Sequence, residues 1–111
     1  MNNMQRLEME IQGIELPQEQ KIIYLEEVGL LPFSDYDTKS NSNKKSIYEC
    51  ALSILEGIAN NPQLMKEVKL DDMTVSKFSD SIQQRIDALQ KRIRQMPDDN
   101  SDGTGWFLFS R

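Results

Sequence analysis

The clearest pattern in the chain runs from Ser46 to Met96. Towards its end, apolar side chains fall at Phe78, Ile82, Ile86, Leu89, Ile93 and Met96, spaced 4, 4, 3, 4 and 3. That spacing follows the helical period, so all six gather on one stripe, and such a stripe is stable in water only when buried against other helices. It predicts a helix over 77–96 with Thr74 or Ser76 as N-cap and Asp80 in its early turns. Lys91, Arg92 and Arg94 sit at its end, where the helix dipole favours cations, and Pro97 stops it. A second, wider stripe comprises Ile47, Ala51, Ile54, Leu55 and Ile58, flanked by Tyr48 and Leu52. It predicts a central helix over 44–59, touched from more than one side. Asn60-Asn61-Pro62 ends that helix, and Pro62 can open a further turn carrying Leu64, Met65 and Val68. Residues 69–75 read as an extended connection anchored by Leu70, Met73 and Val75.

Upstream the stripes are shorter. Met4, Leu7 and Ile11 predict a helix over 3–12 that Gly13 closes. Pro17 suits the first position of a helix over 17–28, and Glu19 suits its positive end. Ile22, Leu25 and Val28 supply the buried face, with Ile23 beside them, and Gly29 caps the end. Leu30-Leu31-Pro32-Phe33 is too short and proline-broken for a helix, and is expected to tuck its apolar side chains under the bundle. The polar residues 35–43 read as an exposed loop. The expected fold is therefore all-α, a bundle of about four helices over residues 1–97. Its core should centre on Ile22, Leu25, Ile47, Ala51, Ile54, Leu55, Ile58, Ile82, Ile86, Leu89 and Ile93.

The character changes after Pro97. An acidic, glycine-containing linker leads into Trp106, Phe107, Leu108 and Phe109. Four large apolar residues left in water at a chain end invite association. They must fold back on their own core or insert into a neighbour, and the sequence balances the two. The second alternative makes Trp106, Phe107, Leu108 and Phe109 candidate interface residues, together with Phe33 and Tyr36. Composition points the same way: 111 residues with 38% apolar content make one small core, somewhat poor in core-forming residues. A shortfall of that kind suggests that part of the chain is not packed in the monomer, or is packed only by a partner.

Charge and chemistry mostly exclude. The net charge of −5 disfavours non-specific nucleic-acid binding. It is unevenly spread, at −6 over residues 1–38, +3 over 39–94 and −2 over 95–111. Such a gradient can steer head-to-tail association, although ordinary solvated faces are the simpler reading. Arg85, Lys91, Arg92 and Arg94 are interleaved with Asp87, as on a solvated helix face, so no sequence-specific nucleic acid is expected as a partner. The chain has no histidine, which removes Cys-His and Ser-His couples and the common zinc sites. Cys50, the only cysteine, lies in an apolar helix and reads as an inert buried thiol in a reducing compartment. The acid pairs Glu26-Glu27 and Asp71-Asp72 are adjacent in sequence without a sign of a shared cleft. Asp98, Asn100, Asp102 and Gly103 match the opening of an EF-hand calcium loop, but position 12 is Phe109 instead of a bidentate glutamate, so an acidic linker is the better reading. No catalytic residue, cofactor or metal site is expected, and the chain should not be an enzyme. No apolar run approaches the roughly 20 residues that span a bilayer, and the first residues lack the apolar core of a signal peptide. Membrane contact is not expected, and the chain reads as cytosolic.

The run from Ile47 to Leu64, Ile-Tyr-Glu-Cys-Ala-Leu-Ser-Ile-Leu-Glu-Gly-Ile-Ala-Asn-Asn-Pro-Gln-Leu, resembles a helix of small head–tail connector proteins of tailed bacteriophages and prophages. The polar segment from Lys69 to Lys77, the long final helix over 80–95 and the early Glu26-Glu27-Val28-Gly29-Leu30 fit the same layout, so the resemblance spans residues 17–96. It implies a non-enzymatic helical subunit that forms a ring of about a dozen copies beneath the portal. The ring would extend the DNA channel and dock a further neck or tail protein. The chain would then reside in the bacterial cytoplasm during assembly and in the virion neck afterwards. Termini and loops of that family reach neighbouring subunits or the portal, which would suit an aromatic tail. Two other readings stay open: a helical protein–protein interaction module of a mobile element, monomeric or dimeric, and a small calcium- or nucleic-acid-binding protein.

Overall fold

The computed structural model describes residues 1–69 and 72–97. Among them are five helices: α1 (Asn3–Glu10), α2 (Gln18–Glu27), α3 (Asn41–Ala59), α4 (Pro62–Val68) and α5 (Val75–Gln95). The described residues contain no strand, and their one β-bridge pairs Asn2 with Asp35. The fold is all-α. None of these helices is long and apolar enough to cross a membrane.

The wide stripe makes α3 the central element. Ile47, Cys50, Ala51, Ile54, Leu55 and Ile58 are buried along it, and α1, α2, α4 and α5 all pack around it, α5 most extensively. From α5 come Phe78, Ile82, Ile86 and Leu89, all buried. Burying an aliphatic side chain of this size contributes about 1.5–3 kcal/mol relative to leaving it in water, so the α3–α5 seam is the main source of stability. Ile93 and Ile22, expected in the core, are only half-buried, the first in the last turn of α5. Met4, Leu7 and Ile11 close one end of the core, joined by Ile14, which no periodic stripe announced.

Helix ends follow local chemistry. Thr74 caps α5, its hydroxyl accepting from Lys77 N at 3.1 Å. Ser40 caps α3 through Asn43 N, which starts that helix three residues before the expected position and shortens the exposed loop accordingly. Asn61 caps α4, with Pro62 at the first position, so the expected single turn is a short helix with Met65 buried. Pro17 stands one place earlier than expected, at the N-cap of α2. The end of α2 is a Schellman motif: Leu30 N donates to Leu25 O and Gly29 N to Glu26 O, each at 3.0 Å. The motif needs a left-handed residue, and Gly29 supplies φ +83°.

Three expectations fail. Ile23 is 55% exposed, because α2 presents Leu25 and Tyr24 to α3 and a residue adjacent to Ile22 falls off that face. Gly57 in α3 admits this approach, since a Cβ there would meet Tyr24 Oη at 3.0 Å. Val75 is no buried anchor: it opens α5, and the buried stripe begins a turn later at Phe78. Leu70, the other proposed anchor of that connection, lies outside the described residues. Finally, Leu31 and Phe33 are not tucked under the bundle; they are 67% and 60% exposed.

Candidate functional site

The exposure of Leu31 and Phe33 has a backbone cause. The first turn of any helix leaves four amide N–H groups without helical partners. In α1, Asn3 N donates to Ser34 O at 3.0 Å and Met4 N to Pro32 O at 2.9 Å. Gln5 N donates to the Asn2 side chain at 2.8 Å, and Arg6 N to Asn2 O at 3.0 Å. Asn2 N in turn donates to Gln5 Oε1 at 2.9 Å, completing a capping box. Tyr36 N donates to Met1 O, and the buried Asn3 amide bridges Leu31 O at 2.9 Å and Asn43 Nδ2 at 3.1 Å. The carbonyls of Leu31, Pro32 and Ser34 and the N–H of Tyr36 therefore clasp the N-terminus of α1. Pro32 is buried, while Leu31 and Phe33 are exposed on this hydrogen-bonded backbone; Met1 is also exposed, at 62%.

The other end of α1 is held by charge. Arg6 bonds Glu10 Oε2 at 2.9 Å, with both side chains largely covered, and Arg92 of α5 approaches Glu10 Oε1 at 3.5 Å. The Arg6 guanidinium lies 5.5 Å from the Tyr36 ring centre and 5.9 Å from that of Tyr48; Arg92 lies 5.8 Å from Tyr48. Burial alone would work against the Arg6 charge, but its hydrogen bonds to Glu10 and Tyr36 prevail and hold its pKa above the usual arginine value. Arg85 donates to Glu10 O at 2.8 Å and Gln12 O at 3.3 Å, capping the negative end of α1 from α5. Lys21 joins α2 to α1 through Glu8 at 2.7 Å.

These placements sort the residues singled out in the sequence. Phe33 is exposed on the clasp, whereas Tyr36 packs against the core and Arg6. Arg85 is a helix-capping residue, so a solvated role for it is corrected; Lys91 and Arg94 are exposed. Glu26 and Glu27 are exposed. Trp106, Phe107, Leu108 and Phe109, like Asp98, Asn100 and Asp102, lie outside the described residues. The Arg6–Glu10 pair was visible as an i,i+4 spacing, but its extension to Arg92 and Tyr48 was not, because nothing local encodes a contact between the two ends of a chain.

Burial pushes the Cys50 thiol up to about 12, helped by the charge of Glu27, which leaves it neutral and unreactive at neutral pH. Among the described residues, no group of three potential metal ligands comes together. What the surface offers is apolar contact at Met1, Leu31 and Phe33, and a shallow groove where the end of α5 lies beside the start of α3. Comparison with family models, with curated proteins and with solved structures finds no match to this chain.

Proposed function

We propose that the protein is a non-enzymatic structural subunit of a phage or prophage head–tail connector, assembling with further copies of itself into a ring beneath the portal. The observation that carries this reading is the clasp. Leu31 and Phe33 stand outward on a backbone fixed by hydrogen bonds to α1, so an apolar contact surface is held in place before any partner arrives. Rigid presentation lowers the ordering cost of association. The resemblance of residues 17–96 to connector subunits supplies the class of assembly, and the portal and a further neck or tail protein are the partners it implies. The acidic N-terminal block and the more basic stretch that follows favour head-to-tail contact over self-repulsion.

Sedimentation velocity across a wide concentration range tests this. A discrete particle of about a dozen copies is expected, as closed rotational symmetry requires of a ring. A chain that stays monomeric or dimeric at every concentration, alone and with portal protein, overturns the connector reading in favour of a small helical interaction module.

A further inference from the structure

A groove lies between the start of α3 and the end of α5, lined by residues other than Leu31 and Phe33. Its volume is about 310 Å³, at the small end of the range for ligand pockets. Tyr48, Met96 and Pro97 give it apolar walls, and Lys44 and Arg92 stand among its lining residues as cations. We propose that this groove is the seat of the chain's own C-terminal segment, taking one or two of the side chains of Trp106, Phe107, Leu108 and Phe109.

Three observations converge on that occupant. The first is position: Pro97, the last described residue, is itself a wall of the groove, and the segment follows it directly in sequence. Eight residues, 98–105, separate the edge from Trp106. At roughly 3.3–3.6 Å each they reach up to about 26–29 Å, ample for the chain to double back. A tether this short presents its end at an effective concentration in the millimolar range, an advantage no separate molecule shares. The second is charge. Asp98, Asp99 and Asp102 are the linker's charged residues, and none is basic, while the groove offers Lys44, Arg92 and the positive end of the long helix α3 as complementary charge. The third is chemistry: the segment carries four large apolar residues in a row, and Tyr48, Met96 and Pro97 line the groove with apolar surface that such side chains can cover.

The proposal stands whether or not copies of the chain form a ring. Trp106 is the only tryptophan, so its fluorescence reports the tail alone. The full chain is diluted until sedimentation shows monomer, and emission and acrylamide quenching are recorded. Emission blue-shifted from that of the urea-unfolded chain is expected, with quenching several-fold weaker and unchanged by further dilution. Tyr48→Ala should raise quenching towards that of the unfolded chain. Lys44→Glu, at a half-buried surface position, should raise it as well and keeps the test readable if Tyr48→Ala fails to fold. Three outcomes overturn the proposal: a water-exposed Trp106 in the monomer, protection that appears only as concentration rises (a second copy's groove), or protection that the folded Lys44→Glu variant leaves untouched.

Discussion

Asn3 shows how one buried polar side chain can organise a surface. It is 3% exposed, and its amide joins α1, the Leu31 carbonyl and Asn43 of α3 in one chain of bonds. Asn3→Ala leaves a carbonyl and an amide without that partner, at a cost of about 1–3 kcal/mol. A domain of this size should then melt roughly 4 °C lower or more, and amide exchange in residues 31–36 should quicken. Equal melting temperatures would show that the bridge is ornamental. Cys50 makes a second prediction at this scale. The folded state holds its thiol at about 12 against an ordinary 9.0, so the folded chain binds that proton more tightly than the unfolded one. Its contribution to stability is complete below pH 9 and is lost as pH rises towards about 12. Between those values wild type should lose stability faster than Cys50→Ala, by up to about 1.4 kcal/mol per pH unit. Urea midpoints at several alkaline pH values would detect this, and parallel slopes would refute it. Thiol reagents should leave the folded chain unmodified at neutral pH.

Helices are the scale at which the sequence is most readable. The spacing of Phe78, Ile82, Ile86 and Leu89 can be buried in only one way, and α5 buries it so. The caps Thr74 and Gly29 act through bonds to residues within six positions, and their chemistry is visible in a short window. Leu31 and Phe33 escaped that logic because apolar character states a preference, whereas backbone bonding decided the outcome at the clasp; Ile23 escaped it because it falls off the face that α2 turns to α3. Arg85 escaped it for a different reason. Its role depends on two carbonyls at the far end of the chain, and an arginine on a helix face looks alike with or without them. Arg85→Ala should cost about 1 kcal/mol, the upper range for a cation at a helix C-terminus, and should fray the last turn of α1 first. Hydrogen exchange localised to residues 8–11 would show this. Arg85→Lys should recover only part of the protection, since an ammonium lacks the planar fork that meets two carbonyls together.

At the scale of the molecule, the residues that hold the fold differ from those proposed to carry association. The α3–α5 seam and the residues of α1 beneath it hold the fold, while Leu31 and Phe33 contribute little to it, being largely in water already. Replacing both with serine should therefore leave helicity and melting temperature nearly unchanged, as is usual for surface substitutions. The same change should strongly weaken self-assembly or portal binding, because two large apolar side chains buried at an interface contribute several kcal/mol, at roughly 25 cal/mol per Å² of apolar area. The separation is the informative part. A destabilised variant that also fails to assemble would implicate the fold, and a stable variant that assembles normally would remove the clasp from the interface. Only a stable variant that no longer associates identifies Leu31 and Phe33 as contact residues, and that is the expected result.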